Sequence, residues 1–180
     1  MFDTPRLALR AFRESDLEAM FDMFDTYDVQ AQASPYFIVP HSRSDRDVFQ
    51  KALVSDRLMF ATIEEKTTSR YVGFVSLRDF NPRHRDVEVA LLLEKGSWGK
   101  GYGTEVMEWL VDYGFRVLGL HRLSLQVFAS NQAAIALYKK SGFIQEGVKR
   151  KAAWIDGTWV DLIAMGIIAE EFWEARKEPV

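Results

Sequence analysis

Four glycines stand within ten residues in the middle of the chain: Glu94-Lys95-Gly96-Ser97-Trp98-Gly99-Lys100-Gly101-Tyr102-Gly103. Before them runs the apolar stretch Val87 to Leu93. After them Val106, Leu110, Tyr113 and Val117 recur at i, i+4, i+7 and i+11, the spacing of one helical face. A glycine-rich bridge between a strand and a helix lets the backbone turn tightly. Its N–H groups then converge with the free N–H groups of the helix start. Such a concavity suits a phosphate or pyrophosphate. It can also be a plain tight turn, and the loop alone leaves both readings open. The crossover continues into His121 to Phe128, where Leu123, Leu125 and Val127 alternate as in a strand. A strand–helix–strand crossover of this length predicts that the two strands run parallel.

The flanking pattern limits the architecture further. Thr4 to Phe12 reads as a strand. Ser15 is placed to cap a helix, with Glu18 completing a capping box and Leu17, Met20, Phe21 and Phe24 inward. Gln30 to Pro40 reads as loop, with Pro35 and Pro40 as breakers. Ser44 is placed to cap a second helix that turns Val48, Leu53 and Val54 inward. Leu58–Glu64, Tyr71–Phe80 and Val87–Leu93 form a meander whose short connections imply antiparallel neighbours. Asn131 opens a helix that Gly142 ends at its C′ position. Two strands, Gln145–Trp154 and Thr158–Ile168, flank an Asp156-Gly157 hairpin turn. A short helix, Glu170 to Arg176, follows. The order is β-α-α-β-β-β-α-β-α-β-β, one α/β domain over residues 1–180 with a mixed sheet.

Composition excludes several classes. The chain has 180 residues, 48% hydrophobic, with net charge −3 and pI about 5.7. That suffices for a sizeable core and is a poor footprint for nucleic acid, which asks for a basic surface. No cysteine is present, so disulfides, thiolate metal sites and a cysteine nucleophile are excluded. Met1 to Arg10 lacks the apolar core of a signal peptide. The longest apolar run, Val160 to Ile168, is interrupted by Asp161 and is far short of the ~20 residues of a membrane helix. The expectation is a cytoplasmic protein with no metal, no nucleic-acid partner and no membrane; a homodimer is compatible with the sequence.

Two common phosphate loops fail on the residues. A dinucleotide fingerprint needs a third glycine where Thr104 stands, and an acid at the end of the next strand, which instead closes on Phe128-Ala129-Ser130. A Walker A loop is absent. Trp98-Gly99-Lys100-Gly101-Tyr102-Gly103 resembles the [Q/R]-x-x-G-x-[G/A] pattern of the GNAT N-acetyltransferase superfamily, with Trp98 in place of the usual Gln or Arg. Asn131-Gln132-Ala133-Ala134-Ile135-Ala136-Leu137-Tyr138-Lys139-Lys140-Ser141-Gly142-Phe143 resembles the family's N-x-x-A-x-x-x-Y-x-x-x-G-F segment. With the opening Thr-x-Arg-Leu-x-Leu-Arg, the chain is most similar to the RimJ/RimL and spermidine acetyltransferase branch.

The resemblance implies an α/β fold with a mixed, mostly antiparallel sheet, a splayed parallel strand pair and flanking helices. It implies direct transfer of an acetyl group from acetyl-CoA to an amine in a ternary complex. The amine could be a protein N-terminus, a polyamine or another small amine. It further implies that the backbone of Leu91, Leu92 and Leu93 pairs with the pantetheine arm, and that Trp98, Gly99, Lys100, Gly101, Tyr102, Gly103 and Thr104 surround the pyrophosphate. Lys100 either adds charge there or is a solvated loop lysine. Asn131 is a favoured N-cap, and by resemblance it also contacts the arm. Tyr138 lies two helical turns beyond it. The family pattern makes it a contact to CoA and the donor of a proton to the departing thiolate; otherwise it is core. A backbone N–H near Leu93 would polarise the thioester carbonyl. An alkylamine of pKa ~10.4 must lose a proton before it attacks. Glu88, between Val87 and Val89, is the candidate acceptor of that proton unless it faces solvent. Asp86, Glu64 and His84 are weaker candidates. The alternative from another class is a non-catalytic acyl-CoA-binding module with the same fold. A serine hydrolase is excluded by the lack of G-x-S-x-G.

Overall fold

The structure is a computed structural model that describes residues 2–34, 36–45, 50–51 and 57–176. In chain order its elements are β1 (Leu7–Arg10), α1 (Leu17–Phe24), α2 (Tyr27–Ala33), β2 (Met59–Glu65), β3 (Tyr71–Asn81), β4 (Asp86–Leu93), α3 (Tyr102–Arg116), β5 (Arg122–Phe128), α4 (Gln132–Lys140), β6 (Ile144–Ile155), β7 (Thr158–Ile168) and α5 (Ala169–Glu174). The strands are hydrogen-bonded in the order β1-β2-β3-β4-β5-β7-β6. This is the α/β class with a mixed sheet that the sequence leads one to expect. Contacts group the chain into two compact units: residues up to Arg78 with Ala90–Val106, and Asp79–Val89 with the residues from Met107 onward.

In the first unit β1, β2 and β3 pair antiparallel. Met23, Val29 and Phe74 form a buried cluster, packed by Phe24, Phe60, Tyr71 and Leu92. Gly73 has φ 151°, and a Cβ there would stand 2.1 Å from the Leu92 carbonyl oxygen. Only glycine lets β3 pass β4 so closely. The start of α1 corrects one expectation. Ser15 is exposed in a 3₁₀ turn, Glu14–Asp16, and it is Asp16 that organises the helix entry. Asp16 accepts from Arg13 N at 2.8 Å, from Thr62 Oγ1 at 3.1 Å, and from both Arg10 Nη atoms at 2.7 and 2.8 Å. Burial opposes its ionisation, but the Arg10 bonds outweigh that and hold the carboxyl below the usual range. Glu18 pairs with Arg43 instead of closing a capping box.

The stretch Gln30 to Pro40 is also corrected, because α2 runs on to Ala33. Gln30 is buried, and its amide exchanges two hydrogen bonds with Val39, Nε2 to O at 3.0 Å and N to Oε1 at 3.1 Å. A buried glutamine gives no hydrophobic signal, so the helix was not readable from periodicity. Ser44 lies in a 3₁₀ turn, Arg43–Asp45. Val48, Leu53 and Val54 lie outside the described residues.

In the second unit β4 and β5 pair parallel from Asp86↔Arg122 to Glu88↔Ser124, as the crossover requires. β5 pairs antiparallel with β7 along its whole length, and β7 with β6. Asp156 and Gly157 both have positive φ, 47° and 77°, the signature of a two-residue I′ hairpin. Trp154 and Trp159 stand opposite each other just inside that turn, with ring centroids 5.2 Å apart. β6 is the last strand in the order. Its ladder with β7 shifts register between Gln145 and Gly147 and again between Lys149 and Ala153. Along α3, Val106 and Leu110 are buried as expected. Val117 is 65% exposed, because the helix ends at Arg116, one residue before it.

Candidate active site

The geometry of β4 decides which backbone groups are available. Glu94 N donates to Val72 O at 2.9 Å, and the Leu92 carbonyl points at Gly73. Alternate residues of a strand send their N–H and C=O to opposite edges. Leu92 is therefore committed to β3, while Leu91 and Leu93 present their backbone groups to the other edge. Trp98 uses part of that edge, since its indole Nε1 donates to Leu93 O at 2.9 Å. The residue at the departing motif position thus ties the loop back to the strand that precedes it.

After the 3₁₀ turn Lys95–Ser97 the chain enters the glycine loop. Gly99 has φ 72° and Gly101 has φ 79°. A Cβ at Gly99 would meet nothing within 4 Å, and at Gly101 only Arg6 Nη2 at 3.4 Å. The glycines are therefore required by the left-handed backbone and not by crowding. Gly99, Lys100 and Gly101 are exposed, directly before the N-terminus of α3. This is the arrangement of left-handed turn and helix start that binds phosphate.

A ring of polar side chains from the same unit fixes the loop. Arg6 Nη1 donates to Lys100 O at 2.9 Å, and Arg6 Nε to Glu105 Oε2 at 2.7 Å. Glu105 also accepts from Arg6 N at 2.7 Å and from the Thr4 hydroxyl. Partial burial of Glu105 works against its charge, yet these bonds together hold its carboxyl below the ordinary range. Tyr102 OH donates to Glu65 Oε1 at 2.5 Å, which raises the phenol's pKa. The Glu65 carboxyl is lowered, chiefly by the Thr68 hydroxyl and then by Tyr102. Arg70 bonds Glu94, and reaches Ser97 Oγ at 3.2 Å. Tyr102 is buried, so its side chain supports the loop from beneath. Gly103 and Thr104 are half-buried in the first turn of α3.

In the second unit the Asn131 side chain accepts from Ala134 N at 3.0 Å and caps α4. Gly142, at C′, has φ 94°. Tyr138 is 8% exposed, and its ring packs on Phe143 with centroids 6.0 Å apart. Among the described residues its hydroxyl has no hydrogen-bond partner. Burial pushes its pKa up to about 12. This phenol stays protonated through the neutral range, as a proton donor must. Glu88 is half-buried at the last registered pair of the parallel ladder, opposite Ser124, on the strand face away from buried Val87 and Val89. Among the weaker candidates, Glu64 is occupied by Arg10 Nε at 2.7 Å. His84 lies in a turn where its N–H donates to Asn81 Oδ1.

Residues 6–144 match the acetyltransferase (GNAT) domain family, a span that contains both the glycine loop and the Asn131 to Phe143 segment. The chain belongs to the GNAT acetyltransferase family. GNAT enzymes use acetyl-CoA as acyl donor and an amine as acceptor, and the acyl-CoA-dependent acetyltransferase activity expected from the sequence is that of the family. The uncharacterized N-acetyltransferase YoaA of Bacillus subtilis is 29% identical over 174 residues, covering 93% of this chain and 96% of its own. The spermidine N(1)-acetyltransferase of Vibrio cholerae is 26% identical over 169 residues, covering 93% and 95%. The solved structure of the spermidine N-acetyltransferase from Vibrio cholerae in complex with CoA and spermine shares the fold, with a TM-score of 0.82 and 24% identity over 93% of this chain and 98% of that one.

The GNAT loop is legible from its motif, but its supports are not. Arg6, Glu65, Arg70, Glu94 and Glu105 carry no motif of their own. The one signal was the opening Thr-x-Arg-Leu-x-Leu-Arg, in which Arg6 is the first arginine. Among the described residues no group of three or more His, Asp or Glu could hold a metal ion, and no helix is long and apolar enough to cross a membrane.

Proposed function

We propose that this GNAT enzyme acetylates a small polyamine-like amine by direct transfer from acetyl-CoA, in a ternary complex and in the cytoplasm. The observation that carries the reading is the exposed loop before α3, whose left-handed Gly99 and Gly101 are free of any clash. That loop fits a pyrophosphate. Bound acetyl-CoA supplies an activated acyl thioester. Leu91 and Leu93 present backbone groups for the pantetheine arm, and Leu92 holds β4 against β3. Trp98, Gly99, Lys100, Gly101, Tyr102, Gly103 and Thr104 shape and anchor the phosphate turn. Asn131 caps α4 and contacts the arm. Tyr138, buried and protonated, contacts CoA and gives its proton to the leaving sulfur. Glu88 takes a proton from the acceptor amine. With no cysteine in the chain, an acyl-cysteine route is closed. The polyamine acceptor is favoured by near-full-length similarity to spermidine N(1)-acetyltransferases.

The test is thiol release from acetyl-CoA in the presence of spermidine, spermine and short peptides with free N-termini, with product mass read in parallel. Acetylated polyamine as the best product supports the reading. Acetylated peptide with inert polyamines would move the acceptor to protein N-termini. Acetyl-CoA binding with no product from any amine would make the protein a binding module.

A further inference from the structure

The best-placed cation beside the phosphate loop comes from the N-terminal segment, not from the loop. Arg6 is held at four points. Its backbone N–H and its Nε both bond Glu105, its Nη1 bonds the Lys100 carbonyl, and its guanidinium lies 4.7 Å from the centroid of the Tyr102 ring. These contacts use the Nε–H and one N–H of Nη1. Nη2 remains, 3.4 Å from the point where Gly101 would carry a Cβ. The Arg6 side chain is 50% exposed and that of Glu105 only 13%. The open edge of the pair is therefore the cationic one.

Resting on the acetyl-CoA reading above, we infer that Arg6 is a phosphate-binding residue of that site: it fixes the loop through Nε and Nη1 and offers Nη2 to the pyrophosphate beside Gly101. A guanidinium already locked by two hydrogen bonds and a ring loses little side-chain entropy when it takes a further partner. The Glu105 carboxylate stands in the first turn of α3, where a bound anion would be repelled, and Arg6 neutralises it. A lysine could not replace it, because one ammonium cannot serve Glu105, the Lys100 carbonyl and a phosphate at once.

The experiment compares acetyl-CoA with S-acetyl-pantetheine, which carries the thioester arm without the pyrophosphate. Arg6→Gln should lower acetyl-CoA affinity by about ten- to a hundredfold, the range of one charge-assisted hydrogen bond. Its kcat/KM with S-acetyl-pantetheine should stay within about twofold of wild type, and the salt dependence of acetyl-CoA binding should flatten. Equal losses with both donors would make Arg6 a brace only, and unchanged acetyl-CoA affinity would also overturn the inference. Should Arg6→Gln not fold, Arg6→Lys keeps the charge and loses the fork. Acetyl-CoA affinity should still fall by about tenfold with S-acetyl-pantetheine turnover little changed, and wild-type acetyl-CoA affinity would count against the role. If the wild type itself binds no acetyl-CoA, the functional reading and this inference fall together. Binding by the wild type and equally by Arg6→Gln overturns this inference alone.

Discussion

The glycine loop and the Asn131 to Phe143 segment both hold backbone in one shape, by opposite means. The helical segment is closed locally at both ends. Asn131 caps the first turn, and Gly142 takes the left-handed position after the last. The loop depends on distant chain. Arg6 reaches across 94 residues to Lys100 and 99 residues to Glu105, while Tyr102 reaches back 37 residues to Glu65. A segment whose ends are closed locally leaves its buried side chains free for other roles, and the one proposed for Tyr138 is chemical. The loop exposes its glycine backbone, and apart from the Trp98 bond most of its order comes from outside. Damage to the first should therefore be chemical or mildly structural, and damage to the second should appear in ligand affinity.

The largest effect expected is chemical. Tyr138→Phe keeps the ring against Phe143 and removes only the phenolic proton. We expect kcat to fall by about a hundredfold or more, the usual scale for loss of a general acid. The melting temperature and acetyl-CoA affinity should stay close to wild type. With its pKa raised to about 12 by burial, the phenol remains protonated until strongly alkaline pH. The wild-type kcat profile should show no falling limb from Tyr138 near pH 10. A limb there that vanishes in the mutant would mean that the phenol is solvated.

Next comes the loop. Gly101→Val forces a β-branched residue to φ 79°, a strain of about 1–3 kcal/mol. The loop can escape that strain by changing shape. Calorimetric titration should show acetyl-CoA binding weakened by about tenfold or more, with the melting temperature only slightly lowered. Equal affinity would show that the left-handed turn is not used by the ligand.

Glu88→Gln should lower kcat/KM by about tenfold at neutral pH. The loss should shrink as pH rises and more amine is neutral without help. A loss confined to KM, with the profile unchanged in shape, would instead make Glu88 an anchor for a cationic acceptor. The smallest effect is Asn131→Ala. Loss of an N-cap costs about 1 kcal/mol, or about 2–4 °C in melting temperature for a chain of this size. A larger drop in acetyl-CoA affinity than in stability would give Asn131 the second role that its motif implies.

The same contrast explains what was legible in the sequence. Asn131, Gly142 and the Asp156-Gly157 turn act through their own neighbours, so residue type and spacing identify them. The parallel pairing of β4 with β5 follows from the strand–helix–strand order, since a helical crossover returns the chain to the end of the sheet where it began. Asp16 displaced Ser15 at the entry to α1 because its value lies in Arg10 and Thr62, the latter 46 residues away. The helix α2 hides from periodicity because its buried Gln30 is polar, and Val117 keeps the helical spacing although the helix stops at Arg116. Arg6 belongs to a signature in the sequence but carries no sign of its chemistry there, since only folding brings it to Gly101.

β6 has a further bearing on how the protein keeps company with itself. It is the terminal strand, twelve residues long and mostly exposed. An unguarded border of that length would invite a foreign strand to zip on and seed fibrils. Between Lys149 and Ala153 the ladder advances four residues on β6 against two on β7, so the strand buckles. Lys151 sits at φ 49° with its N–H turned to Asp161 Oδ1 at 2.8 Å. Lys149, Arg150 and Lys151 meet any newcomer with like charge. The outer border is thus interrupted midway and electrically unwelcoming, and a misregistered visitor finds too short a straight run to stay.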